Sequence, residues 1–204
     1  MNDGTRFSAC KNAQIIDAAE AEFLEHGFSG ASMDRISARA GVSKRTVYKH
    51  FESKENLFRE LIDRHWAKFS APLAVTYDPG RDIRDQLFEL AEAEGRLLSS
   101  KDIMLTTRLV MSELLRQPEL AEQNKEKTDF TAAFVQMLKD AAEDGKLNLD
   151  DPKSAAEEFL ALIKGRAFWP VVFGAPVVSE EEMKAIIQNS VDMMMSRYEI
   201  DLSR

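Results

Sequence analysis

The sequence predicts an all-α protein in two parts, an N-terminal three-helix unit of the helix-turn-helix kind and a larger C-terminal helical body. Three observations lead there. Apolar residues recur at three- and four-residue intervals, and no segment alternates with the two-residue period of a strand. Helix punctuation is regular: Ser32, Ser43, Asp151 and Ser179 are N-caps, while Gly27, Gly41 and Gly145 stand where helices end. The span Ser32–Phe51 holds two short helices joined by a glycine-bearing turn.

Taken in order, residues 1–8 are polar and aperiodic and read as an arm. A helix follows from about Ala9 to His26, with Ile15, Ile16, Ala19 and Phe23 on one side. Gly27 ends it, and Phe28 folds back toward the core. Ser32 caps the second helix, with Asp34 in its first turn at the positive end of the dipole. Gly41 takes the turn conformation with positive φ. Ser43 then caps the third helix. The core expected for this unit is Ile15, Ala19, Phe23, Phe28, Ile36, Ala40, Val42, Val47 and Phe51.

A fourth helix runs from Ser53 to the break at Pro72, with Leu57, Leu61, Ile62, Trp66 and Phe69 apolar. Tyr77–Gly80 is a turn. Helices are expected at about 81–99 (Ile83, Leu87, Leu90, Leu97), about 101–116 (Met104, Leu105, Leu109, Leu115), and from Pro118 to about Asp144 (Phe130, Phe134, Met137, Leu138). Asp151-Pro152 opens a helix over 152–173 that Pro170 kinks or ends. Ser179–Glu182 is a capping box for the last helix, striped by Met183, Ile187, Met194 and Tyr198.

Composition limits the function classes. The chain has 204 residues, 44% hydrophobic and 30% charged, enough for a proper core. No apolar run has the length of a membrane span, and the N-terminus lacks a signal-peptide pattern, so a cytoplasmic, membrane-free protein is expected. The single Cys10 excludes an internal disulfide and fits a reducing compartment. The three histidines (His26, His50, His65) show no metal spacing, and neither a glycine-rich phosphate loop nor a nucleophile–base set is visible. No catalytic residue, metal site or cofactor is expected.

Charge points elsewhere. Across 32–54 the bases Arg35, Arg39, Lys44, Arg45, Lys49 and Lys54 face only Asp34 and Glu52, a local charge of +4 in a chain of −8, so the remainder carries −12. A basic head meets phosphates while an acidic body resists spreading over a duplex. Helical geometry at about 100° per residue orients the third helix. With Val47 inward at 0°, Arg45 lies near 160°, Lys49 near 200°, Tyr48 near 100° and Thr46 near 260°, all approximate. That outward face suits a major groove.

Residues 9–62 resemble the N-terminal domain of the tetracycline-repressor (TetR) family. The matching elements are Ile15–Ala19, Phe23, Gly27-Phe28, Ser32–Ile36, Ala40–Ser43, Thr46–Tyr48, His50-Phe51 and Ser53–Leu57. The resemblance implies a regulator, most often a repressor, that binds a palindromic operator on double-stranded DNA as a homodimer and leaves it when a small molecule binds the body, 63–204. Ligand-independent regulation or activation is the alternative. The recognition helix would be 43–50, and Lys54 a phosphate contact. From the outward face and the resemblance together, the DNA-contacting set is Ser32, Ser43, Lys44, Arg45, Thr46, Tyr48, Lys49, His50 and Lys54. Arg45 stands where many relatives carry a small residue such as glycine, so the bases facing it should differ.

The two C-terminal helices, about 152–173 and 179–199, carry surplus apolar surface and are expected to pair with a second copy. An effector among helices four to seven would tilt helix four and change the spacing of the two heads. Its candidate lining is Trp66, Phe69, Phe88, Leu105, Arg108, Phe130, Phe134, Phe159 and Trp169, the arginine as partner for a ligand acid. Lys164–Pro170 resembles the corresponding part of a subset of the family.

Overall fold

The computed structural model describes residues 3–117, 119–120 and 131–199, with side chains from Cys10 onward. Among these, every regular element is helical, apart from an isolated antiparallel bridge between Leu147 and Glu199. The helices are α1 (Asp3–Gly30), α2 (Met33–Arg39), α3 (Lys44–Phe51), α4 (Lys54–Ser70), α5 (Ile83–Leu98), α6 (Lys101–Arg116), α7 (Ala132–Glu143), α8 (Pro152–Ala167), α9 (Trp169–Val172) and α10 (Glu180–Tyr198). A single 3₁₀ turn, Ala71–Leu73, holds Pro72.

The chain forms two compact units: residues 1–66 with 105–124, and 67–104 with 125–204. The first therefore includes most of α6, which a division after residue 62 assigns to the body. Packing is the reason. Val110 and Leu120 are buried in the same apolar cluster as Phe23, Val47 and Leu61, with Leu109 and Leu114 against it.

In that first unit α1 starts at Asp3, so backbone hydrogen bonding extends the helix into the stretch expected as an arm; such bonding needs no apolar period. Its regular geometry breaks at Gly27, with φ 67° and ψ 168°, a backbone that side-chain-bearing residues rarely adopt. The expected core residues are buried, except that Val42 packs half-buried at the edge. Phe58, absent from that expected core, is also central to it. Its ring meets Phe23 nearly edge-on at 5.2 Å and Phe28 at 5.0 Å. The signal was present, since Phe58 lies three residues before Leu61 and one after Leu57 on the same buried side of α4.

α6 corrects an expected stripe. Leu105 and Leu115 are 48% and 78% exposed, while Thr106, Thr107, Val110 and Glu113 are buried. The helix is rotated so that hydroxyls enter the core, where each finds a partner: Thr106 donates to Glu20 at 2.5 Å, and Thr107 Oγ1 lies 3.0 Å from His65 Nε2. A bonded hydroxyl costs little inside, whereas an unpaired one costs about 1–3 kcal/mol.

In the second unit α10 packs against both α5 and α8, and α7 packs on α8. Ala155, Ala156, Phe159 and Ile163 of α8 are fully covered, as are Leu87, Ala91 and Leu98 of α5. Asp82 and Asp151 cap α5 and α8, and Ser179 with Glu182 forms the expected capping box at α10. The helix expected over 152–173 breaks at Phe168, two residues before Pro170. The proline sits in the first turn of α9, where its missing N–H is no loss. Pro118 and Phe130 lie outside the described residues, and the helix that follows is described from Ala132.

A carboxyl group is buried here. Glu94 of α5 has a fully covered side chain, with Lys164 Nζ 3.3 Å away but no well-aligned hydrogen bond to either oxygen. Burial pushes its carboxyl up, against the pull of Lys164. The folded state thus holds the proton more tightly than the unfolded chain. This contribution to stability is complete below the ordinary glutamate range and is lost as pH rises through the raised value. Glu94→Gln is expected to abolish that pH dependence, since the amide does not titrate. Urea titrations at about pH 5 and about pH 8 test it; equal pH slopes for variant and parent would reject it.

Candidate nucleic-acid interface

The second and third helices are positioned by their caps. Ser32 Oγ accepts from the N–H of Asp34 and Arg35 at 3.2 and 3.3 Å, and Ser43 Oγ accepts from Thr46 N–H at 3.1 Å. Between them Gly41 adopts φ 62°. Val47 and Phe51 are buried, which turns Arg45, Lys49 and Tyr48 outward; Tyr48 is 47% exposed. Thr46 and His50 are half-buried on the flanks, and the Thr46 hydroxyl lies 2.8 Å from Ser43 Oγ. The facing read from helical geometry holds.

The charge balance is sharper than the local +4 suggested. Arg35 Nε is 2.6 Å from Glu22, Arg39 pairs with Glu25 and stands 3.8 Å from Glu22, and Lys44 pairs with Asp34. The Arg39 guanidinium bonded to Glu25 holds that carboxyl below the usual glutamate range. Lys54 donates to the backbone carbonyls of Phe28 and Ser29, in the last turn of α1, and of Ala31 just beyond it. Among the described residues Arg45 and Lys49 have no acidic partner. The unpaired positive charge of α2 and α3 is thus concentrated at two solvated side chains on the outward face of α3. The partners Glu22 and Glu25 were missed; each meets its arginine across thirteen or fourteen residues of sequence, a distance no periodicity reports.

Behind this face Glu52 closes α3 with φ 58°, a left-handed conformation. Glu52→Gly is expected to relieve that strain and stabilise the fold by about 0.5–1 kcal/mol, net of glycine's greater unfolded freedom. It also removes a negative charge beside the basic face. Urea denaturation checks the first effect, and a loss of stability would count against the strain.

The candidate effector residues are distributed over both units. Trp66, Leu105 and Arg108 belong to the first unit, with Trp66 and Arg108 half-buried. In the second unit Phe69 is buried against Phe168, rings 6.1 Å apart, and Phe134 and Phe159 are fully buried 5.7 Å apart. Phe88 lines an open groove of about 740 Å³ between α5 and α10, with Arg96, Met183 and Ile187. Phe159 reaches a smaller apolar cleft of about 340 Å³ between α8 and α10, with Leu162, Met194 and Tyr198. Trp169 is 45% exposed and stacks on the more exposed Phe173 at 6.3 Å. Among the described residues no group of three or more histidine, cysteine or acidic side chains is placed to hold a metal, and no helix is long and apolar enough to cross a membrane.

Comparison with known proteins agrees with this geometry. Residues 15–61 match the model of the bacterial regulatory proteins of the tetR family, and residues 85–200 match that of the AefR-like transcriptional repressor C-terminal domain. The chain is 29% identical over 162 residues to the HTH-type transcriptional repressor SCO4008 of Streptomyces coelicolor, covering 78% of each protein. It is 29% identical over 119 residues to the HTH-type transcriptional activator FasR of Mycolicibacterium smegmatis, covering 58% of this chain and 54% of that one. The crystal structure of a TetR family transcriptional regulator from Pseudomonas syringae pv. tomato superposes with a TM-score of 0.78 at 38% identity, over 98% of this chain and 100% of that one. An outward basic face on a capped recognition helix, and family matches over both halves of the chain, identify it as a DNA-binding transcriptional regulator that belongs to the TetR family.

Proposed function

We propose that the protein is a repressor that binds a palindromic operator as a homodimer and is released by a small-molecule effector. The observation that carries the reading is the outward face of α3, where Arg45 and Lys49 are solvated and unpaired beside Tyr48, opposite the buried Val47. In the proposed complex Arg45 reads a base edge, with guanine O6 and N7 its natural bidentate partners. Lys49, Tyr48, Thr46 and His50 contact neighbouring bases and phosphates. Ser32, Ser43 and Lys44 lie at the first turns of α2 and α3, where backbone N–H groups favour phosphate.

Two heads must meet successive major grooves, so the dimer sets the spacing. The pairing surface proposed is that of α8, α9 and α10. Phe173, Trp169 and Met193 are exposed there at 81%, 45% and 58%, apolar side chains that a second copy would cover. An effector in the body works only through different affinities for the two head spacings. The aromatic residues of the second unit, with Phe88 on the open groove between α5 and α10, are its proposed neighbourhood. The assignment is regulatory and cytoplasmic, with no catalytic role. Similarity to the activator FasR favours activation as the second reading.

Selection of bound fragments from genomic DNA tests the reading. A palindromic site protected by the dimer, with higher transcription of the adjacent gene in a deletion strain, is the expected result. Lower transcription would favour the activator, and a monomer at micromolar concentration or indifference to sequence would sink the two-head reading.

A further inference from the structure

Ile15, Ala19 and Phe23 form the inward stripe of α1, and Glu22 falls on it, three residues after Ala19 and one before Phe23. Its side chain is fully buried. A carboxylate in that position costs free energy unless cations and donors meet it. They come chiefly from the second helix. Oε1 accepts from Arg35 Nε at 2.6 Å and from the Ser32 N–H at 3.3 Å. Oε2 stands 3.8 Å from both Arg39 Nη2 and His26 Nε2. Arg35 Nη2 also donates to Gly30 O, so one side chain spans from Glu22 to the residue that ends α1. At the far end of α2, Gln14 Nε2 donates to Ala40 O at 2.9 Å. The helix itself is short, seven residues with only Met33, Ile36 and Ser37 buried. Apolar contact is non-directional and leaves such a helix free to roll, whereas directed hydrogen bonds fix its angle.

We propose that Glu22 is a positioning residue for sequence-specific DNA binding. It sets the pose of α2 on α1, and through the turn at 40–43 the approach of α3 to the bases. The inference rests on the reading of α3 as the recognition helix and can fail separately from it. Charge alone predicts the opposite consequence of removing Glu22, because one anion fewer in a basic head favours DNA of any sequence.

Glu22→Leu and Glu22→Gln separate the two. Leucine removes both acceptors; glutamine removes the charge and keeps an oxygen for Arg35 Nε and Ser32 N–H. The probes are a duplex recovered by selection from genomic DNA and a scrambled duplex of the same composition. Both are titrated at one salt concentration, well below the melting temperature of each protein. For Glu22→Leu the ratio of the two affinities is expected to fall about tenfold, the effect of one mismatched base pair, with the scrambled duplex bound no more weakly than by the parent. Glu22→Gln is expected to keep the ratio within about threefold of the parent. The leucine variant should melt no lower than the parent, because a buried ion pair adds little over an apolar side chain of similar volume and Arg35, 49% exposed, can turn to water. An unchanged ratio in Glu22→Leu overturns the proposal, as does an equal loss on both duplexes or a glutamine variant as impaired as the leucine one. If the leucine variant does not fold, amide exchange in the parent decides. The Ser32 N–H, which precedes the first turn of α2, is expected to exchange at least about tenfold more slowly than in a free chain; exchange at the free-chain rate overturns the proposal. A parent that does not tell the two duplexes apart refutes the recognition reading of α3 itself, and this inference with it.

Discussion

Phe58→Ala is expected to destabilise the protein by about 3–5 kcal/mol, lowering the melting temperature by roughly 10 °C. Phe58 is 1% exposed and closes a trio of rings with Phe23 and Phe28, so the truncation leaves a cavity that its stiff neighbours cannot refill. The effect reaches function because Phe28 also lies beneath Lys54. Loosening Phe28 frees the connection that leads into α2, so DNA binding should fall more steeply with temperature than in the parent. Phe58→Leu keeps most of the volume and is expected to cost less than half as much. Thermal melting of the three proteins decides it; a loss under about 1 kcal/mol for alanine would mean the core repacks there.

Arg45→Ala is expected to leave stability within about 0.5 kcal/mol, because the side chain is solvated and unpaired. It should weaken operator binding by about 1–3 kcal/mol per half-site, roughly 5- to 150-fold, and relax preference at the bases it faces. Those two outcomes together separate base reading from phosphate binding. Removing a side chain that only grips phosphate would weaken all sequences alike and reduce the salt slope. Binding curves at one fixed salt concentration, together with sequence selection by the variant, give both readouts. Unchanged sequence preference would remove Arg45 from the reading role and leave Lys49 and Tyr48 as the remaining candidates.

Much of this was legible along the chain. The helical class, the caps at Ser32, Ser43, Asp151 and Ser179, and the outward aim of Arg45 and Lys49 all follow from relations within a few residues. A cap bonds two or three residues ahead, and a helix face repeats every three or four, so these features are set before any helix meets another. Val47 had to face inward, and the rest of α3 followed from it.

Tertiary structure decided which charges remain available. Six bases across 32–54 looked equivalent by count. Folding pairs Arg35 with Glu22 across thirteen residues, Arg39 with Glu25 across fourteen, and Lys54 with the Phe28 carbonyl across twenty-six. The same is true of α6, where Thr106 and Thr107 are buried in place of Leu105 and Leu115 because Glu20 and His65 were waiting for them. A charge or hydroxyl is satisfied by whichever group the packed helices bring within about 3 Å, and that proximity is a property of the assembled core rather than of neighbours in sequence.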